Sequence, residues 1–388
     1  MGKNLRLSFA DPSISPASPY KIKVLGVGGA GGNIVDTMVK EGVNGIEFVA
    51  INTDSQALTI SQSPIKIQIG GNFTKGLGSG GDPDTGRKAM EENYDDVKEL
   101  IKNTDVLFIT CGMGGGTGTG ASPIIAKMAK EMGKFTIAVA TFPFSFEGSV
   151  RANQAREGIF RLKRYADAII VAHNQKLFTI VNEKVGLMEA FEVVNQIVYQ
   201  IVYGITEIIN TPGLVNVDFA DVRTVMSEQG ETFIGIGKGS GEGRAKKAAH
   251  MAINSALLGE KSIRKSLGVL VNITGDSSFT LYEANEVMKI VQENVRENAN
   301  IIFGAYINKE RKDEIGVTLV ATGIRHNSIG IPHSTNNRSA DNWVTREENL
   351  KIPTFKRKKK LYLEDINFKE NENLDIPAFM RRKDEINS

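Results

Sequence analysis

The chain has 388 residues, 41% of them hydrophobic, and its 47 basic and 45 acidic side chains leave a formal charge of +2. That balance argues against a protein that coats nucleic acid or anionic lipid, and the length suits two domains with accessory segments. One cysteine, Cys111, excludes an intramolecular disulfide framework and, with four histidines, leaves no structural zinc cluster.

Residues 1–20 hold three prolines and four serines without apolar periodicity, which predicts a disordered arm. No basic-then-apolar leader opens the sequence, and no uninterrupted apolar run reaches about 18 residues. A soluble cytoplasmic protein without a membrane span is the expectation. From Lys21 the pattern changes. Apolar runs at Lys21–Val27, Glu47–Ile51, Ile65–Ile69, Asp105–Cys111, Phe135–Ala140 and Ala168–Ala172 alternate with helical or glycine-rich segments. Such alternation predicts an α/β domain over residues 21–186, a mostly parallel sheet with helices on both faces.

Leu187–Asn210 follows as a helix that is apolar on nearly every face, about 35 Å long at the α-helical rise. An all-round apolar helix is expected to be buried on all sides, so residues 187–211 form a core element shared between two domains. Runs at Phe233–Gly237, Leu267–Thr274, Ile301–Ile307 and Ile315–Ala321, with helices at Gly243–Leu258 and Leu281–Asn298, predict a smaller α+β domain over 212–325. Residues 326–373, rich in Asn, Ser, Lys and Glu, read as a disordered linker in which the basic run Lys356–Lys360 is solvated, with no nucleic-acid partner expected. Within the terminal segment 374–388, Leu374–Lys383 (LDIPAFMRRK) is an apolar island with the shape of a partner-binding peptide.

Two glycine-rich segments carry the chemistry. Gly26, Gly28 and Gly31 match G-x-G-x-x-G between a strand and a helix, where backbone N–H groups accept close approach by phosphate oxygens. With Asp54 about twenty positions further on, this fits a nicotinamide-dependent oxidoreductase as well as anything else. The second segment, Gly112–Gly120, follows the strand ending at Cys111 and leads into a helix over Ala121–Lys130. It offers six glycines and two threonines, a second cradle of N–H and hydroxyl donors. A dinucleotide needs one cradle for its pyrophosphate, so two suggest a nucleoside triphosphate. Gly76–Asp82 adds further donors, and G-x-x-x-x-G-K-[ST] is absent.

GGGTGTG at Gly114–Gly120 resembles the signature of the tubulin/FtsZ family, and the motif order from about Lys21 to Arg325, together with the tail peptide, is similar to its bacterial cell-division branch. The resemblance implies a Rossmann-like parallel-sheet GTPase domain, a long central helix and a smaller second domain. It implies GTP or GDP bound with Mg²⁺, head-to-tail polymerisation, and assembly of the cytokinetic ring at midcell beneath the inner membrane. Carried onto matching positions, the phosphates fall to Gly29, Ala30, Gly31, Gly32, Asn33, Gly116, Thr117 and Gly118. Glu147 and Arg151 contact ribose and phosphate, and Asn174 contacts the nucleotide. Phe191 and Asn195, four apart on one helix face, suit a purine plane and its polar edge. Gln196 stands where relatives often carry an acid.

Asn216, Asp218 and Asp221 receive the hydrolytic role, orienting water toward the γ-phosphate. On residues alone, Asp218 reads as a helix N-cap with Asp221 in the first turn, and the hydrolytic role is what the resemblance adds. If Asn195 reads the base, the rest of its helix carries the carboxylates about 22 Å away, too far to serve their own subunit's nucleotide. Hydrolysis is then expected to need a stacked neighbour. In the tail, Ile376, Phe379 and Met380 serve as anchors and Arg381 and Arg382 face acidic rims, for membrane-tethering and other division proteins. Residues 384–388 are not basic, so direct lipid attraction is not expected. A different tubulin-like cytomotive GTPase is the nearest alternative, and the oxidoreductase a more distant one.

Overall fold

Aliphatic and β-branched runs form a six-stranded parallel sheet in the computed structural model, which describes residues 20–43, 45–179, 181, 185–210, 214–215, 217–228, 230–254, 263–308 and 311–324. These all fall within the first of two compact units, Met1–His326. The N-terminal arm, Asn216, the linker with its basic run, and Leu374–Lys383 lie outside the described residues.

The first sheet uses β1 (Ile22–Val27), β2 (Ile46–Asn52), β3 (Ile65–Gln68), β4 (Val106–Gly112), β5 (Phe135–Phe142) and β6 (Ala168–His173) in the order β3-β2-β1-β4-β5-β6, every neighbouring pair parallel. Between these strands run α1 (Gly28–Lys40), α2 (Ser55–Ile60), α3 (Gly71–Thr74), α4 (Pro83–Glu92), α5 (Tyr94–Ile101), α6 (Gly116–Glu131) and α7 (Ser149–Lys163). Strands β1 and β4 are buried almost throughout, as a sheet covered on both faces requires. After α8 (Leu187–Asn210) and α9 (Phe219–Met226) comes a second sheet. It contains β7 (Glu231–Ser240), β8 (Gly268–Gly275), β9 (Asn300–Ile307) and β10 (Glu314–Ile324), with α10 (Arg244–Ile253) and α11 (Leu281–Asn294) between them. Its order is β7-β10-β8-β9, with β10 antiparallel to both neighbours and β8 parallel to β9.

Helix α8 joins the two sheets. Val198, Val202 and Ile205 share one apolar cluster with Val24 and Phe108 of the first sheet and with Ile234, Leu270 and Val320 of the second. The expectation of burial on all sides fails at the N-terminal end, where Leu187 and Met188 are exposed and Phe191 partly so. Among the described residues, Leu187 and Met188 are not part of the cluster that joins α8 to the two sheets. A second correction concerns the Gly112–Gly120 segment. Helix α6 begins at Gly116 rather than Ala121. A Cβ on Gly120 would collide with the carbonyl oxygen of Pro83 and the backbone nitrogen of Arg87 in α4. Glycine is needed there so that two helix backbones approach closely, and the local helical cost is offset by packing.

At the far end of the second sheet, Arg244 is buried among carboxylates. Its Nε meets Glu283 Oε1 at 2.7 Å, its Nη1 lies 3.3 Å from Asp276 Oδ1 and from Asp313 Oδ1, and its Nη2 donates to Ser278 Oγ at 2.9 Å. Hydrogen bonds, first from the Ser278 hydroxyl, then from the Asp313 and Ser278 N–H groups, hold Asp276 at about 2.

Candidate nucleotide site

At the C-terminal ends of β1, β2, β4 and β5, the loops open into a cleft of about 480 Å³. Parallel α/β sheets place ligands at this edge, where strand order reverses between β1 and β4. Two helices aim their N-termini at it. Among the described residues neither α1, starting after Val27, nor α6, starting after Gly115, has a side-chain cap, so first-turn N–H groups remain as donors beside the positive helix ends. Gly28 has φ +75°, and a Cβ on it would lie 2.9 Å from the Gly118 nitrogen. Glycine is thus what lets the two N-termini converge. Gly29 and Gly115 have nothing within 4 Å of a Cβ position and leave their backbone open. This double cradle fits an anion with several phosphate oxygens.

The structure brings Gly29, Ala30, Asn33, Gly116, Thr117, Gly118, Glu147, Arg151, Asn174, Phe191 and Asn195 to the cleft wall. Gly31 and Gly32 are not on it. A Cβ on Gly31 would sit 2.5 Å from the Thr110 carbonyl oxygen, so this glycine sets the helix-to-strand distance and does not face the cleft. Thr119 is also turned inward, its hydroxyl accepting the Gly114 N–H at 2.8 Å. Thr117 Oγ1 lies 2.7 Å from Thr53 Oγ1 and 3.1 Å from Ser79 Oγ, which knits the second cradle to the β2 end and to the 78–81 loop. Neither Thr53 nor Ser79 stood out in the sequence; only the glycine spacing of residues 76–81 pointed to that loop.

On the opposite wall, Glu147 Oε1 accepts the Phe144 N–H at 2.8 Å while Oε2 lies 3.1 Å from Arg151 Nη1. The carboxylate is thereby fixed and the half-exposed guanidinium is aimed. Buried Phe144 is a hub that sequence reasoning missed. Phe146 stacks on it at 4.9 Å, and Phe178 and Phe191 meet it edge-on at 5.9 and 5.5 Å. Phe191 is therefore a held ring with an exposed side, suited to a planar base. Asn174 is 7% exposed and its Oδ1 has no hydrogen-bond partner among the described residues. A buried orphan acceptor lining a cleft is what a bound base with N–H donors would satisfy. Gln196 points elsewhere, donating to Glu41 Oε1 at 2.9 Å, so its departure from an acid does not reach the cleft.

The carboxylates of Asp218 and Asp221 lie at the other pole. Phe219, the first residue of α9, packs edge-on against Phe135 at 5.6 Å, and Phe135 begins β5, whereas Thr141 at the far end of that strand lines the cleft. Six residues of extended chain separate these ends by about 20 Å. Asp218 caps α9, its Oδ1 accepting the Ala220 N–H at 3.2 Å, and both carboxylates are exposed.

Comparison with known proteins agrees with this geometry. The Tubulin/FtsZ family GTPase-domain model matches residues 21–182, and the FtsZ family C-terminal-domain model matches residues 230–325. An FtsZ dimer from M. jannaschii is 44% identical, covers 79% of this chain and 89% of that chain, and superposes with a TM-score of 0.74. The chain belongs to the tubulin/FtsZ family. As a family member it binds guanine nucleotide and is a tubulin-like GTPase. The GDP-bound CetZ1 monomer from Haloferax volcanii, 21% identical over 79% of this chain and 94% of that chain with a TM-score of 0.69, shares the fold. The oxidoreductase reading falls here. The strand order is the dinucleotide-binding one, but the Asp54 carboxylate caps α2, accepting the Gln56 and Ala57 N–H groups at 2.8 and 3.3 Å. Among the described residues, no helix is long and apolar enough to cross a membrane.

Proposed function

We propose that this GTPase polymerises head to tail and that its hydrolytic site is completed only between stacked subunits. The observation that carries the reading is the separation of about 20 Å between the nucleotide cleft and the carboxylate pole along one sheet. In it Gly29, Ala30, Asn33, Gly116, Thr117 and Gly118 hold the phosphates, Glu147 and Arg151 flank the ribose, and Asn174, Phe191 and Asn195 read the base. Asn216, Asp218 and Asp221 of the next subunit orient the attacking water, for which in-line positioning is the main protein contribution. Mg²⁺ enters with the nucleotide. Among the described residues no group of three His, Cys, Asp or Glu side chains is placed to hold a metal, and an ion held by phosphate oxygens and water needs none.

The rim of the cleft supports self-association. Leu77 of the cleft wall, Phe146 and Val150 beside the cleft-lining Glu147 and Arg151, and Phe178 on the Phe144 hub are exposed, an apolar surround fitted to a second copy. Such a contact is heterologous and does not close, so it builds filaments. The M. jannaschii relative was solved as a dimer, and CetZ2 from Haloferax volcanii as a GTPγS-bound protofilament. In this reading residues 21–186 bind GTP, 187–211 form the connecting helix and 212–325 present the lower face. The filaments form the cytokinetic ring in the cytoplasm at midcell, and Leu374–Lys383 recruits membrane-tethering and other division proteins through the 326–373 linker. The test is GTP turnover per molecule as a function of protein concentration. A steep rise above a threshold supports the reading; constant specific activity down to high dilution overturns it.

A further inference from the structure

Tyr20 is the last residue of the stretch that the sequence marks as an arm, and the chain is pinned directly after it. Lys21 donates its N–H to Asp105 Oδ2 at 2.9 Å, and its carbonyl accepts the Asp105 and Val106 N–H groups at 2.9 and 3.2 Å. The Asp105 carbonyl in turn accepts the Phe135 N–H at 3.3 Å. Asp105 thus ties the residue after Tyr20 to the start of β5. Phe219, the first residue of α9, packs against the rings of both segments. Its centroid lies 4.6 Å from that of Tyr20 and 5.6 Å from that of Phe135, which it meets edge-on. Arg223, one turn further along α9, places its guanidinium 5.9 Å from the Phe135 centroid.

These contacts fall on the turn whose N-cap is Asp218 and which contains Asp221. The buried residues of α9 are Val222, Val225 and Met226, all beyond Asp221 in the chain. Ahead of them the ring of Phe219 is only partly buried, so its aromatic partners decide where the first turn sits. We infer that Tyr20 is a positioning residue for hydrolysis, its ring holding Phe219 and through it setting where Asp218 and Asp221 meet a neighbour's nucleotide. The inference rests on the proposed role of those two carboxylates. Groups that orient an attacking water tolerate little displacement, so a contact outside the chemistry has a large effect on rate.

The test uses the full chain with Tyr20→Ala and Tyr20→Phe. Monomer GTP affinity of Tyr20→Ala should match the wild type, because the cleft is about 20 Å away. Its phosphate release per sedimented subunit should fall roughly tenfold, and Tyr20→Phe, which keeps the ring, should hold the wild-type rate. Undiminished turnover in Tyr20→Ala, a loss of its monomer GTP affinity, or an equal fall in Tyr20→Phe overturns the inference. Mixing locates the defect, a readout that a general loss of stability would not move. Gly29→Glu puts negative charge in the phosphate cradle and keeps its carboxylates, whereas Asp221→Ala keeps the cleft and loses one. Tyr20→Ala mixed with Gly29→Glu should release phosphate severalfold above the sum of the two alone, since about one contact in four joins an undamaged cleft to undamaged carboxylates. Mixed with Asp221→Ala it should give only the sum. The reverse pattern, or no gain in either mixture, places the Tyr20 defect away from the carboxylates. Gly29→Glu mixed with Asp221→Ala is the control for the shared centre. If that control gains nothing, the shared centre fails, and pure Tyr20→Ala filaments compared with pure Tyr20→Phe filaments still judge the ring contact.

Discussion

Asp221→Ala separates the stability of α9 from the chemistry assigned to it. Asp218 caps the helix through the 3.2 Å contact with the Ala220 N–H, a bond worth about 0.5–2 kcal/mol to the fold. Asp221 sits in the first turn, exposed, and among the described residues its carboxylate makes no hydrogen bond or ion pair. Its structural contribution is limited to the favourable end of the helix dipole, about 0.3–1 kcal/mol. A carboxylate that orients or deprotonates the attacking water contributes about 10²–10⁴-fold in rate, or roughly 3–5 kcal/mol of barrier. The two scales do not overlap. Asp221→Ala is therefore expected to shift the urea midpoint slightly, to leave GTP affinity of the monomer within about twofold, and to lower phosphate release per assembled subunit by about 10²-fold or more. Sedimented filaments should persist longer after GTP addition. A loss of turnover smaller than about fivefold, or a clear loss of monomer GTP affinity, would refute the reasoning.

Two further outcomes follow from single side chains. Asn174→Ala removes a buried acceptor that has no partner among the described residues, so the nucleotide-free protein should not lose stability, while GTP affinity by equilibrium titration falls roughly twofold to tenfold. Asp276 is held at about 2, below the ordinary aspartate value of 3.8, so it binds its proton more weakly folded than unfolded. Its contribution to stability is complete above about pH 4 and is lost as pH falls toward 2. Asp276→Asn should flatten that acid limb of a pH-dependent melting curve, and an unchanged limb would remove Asp276 as its cause.

Much of the architecture was legible because parallel strands buried on both faces read as plain apolar runs. β1, β4, β5 and β6 fall where the sequence placed them, and α8 spans the stretch bounded by Leu187 and Asn210. Burial was less legible than identity. Leu187 and Met188 are as apolar as Val198 and Val202, and only the ends of the sheets decide which of them find a partner. The glycines misled in a second way. Gly29 and Gly31 look equivalent in the sequence, yet one opens its backbone to the cleft and the other presses on Thr110, a distinction made by the turn of the helix and not by spacing. Phe144 was invisible for a different reason. A hub that holds Phe146, Phe178 and Phe191 acts through contacts between segments far apart in sequence, which no local pattern records.

The split site has a direct test in mixing two inactive variants. Gly29→Glu adds a side chain where nothing lies within 4 Å, so the fold accepts it, but it places negative charge in the phosphate cradle and leaves Asp218 and Asp221 intact. Asp221→Ala keeps the cleft and loses the carboxylate. Stacked at random in equal amounts, about one contact in four pairs the intact cleft of one variant with the intact carboxylates of the other. Phosphate release from the mixture well above the sum of the two proteins alone is the predicted result, and release equal to that sum would contradict a catalytic centre shared between neighbours.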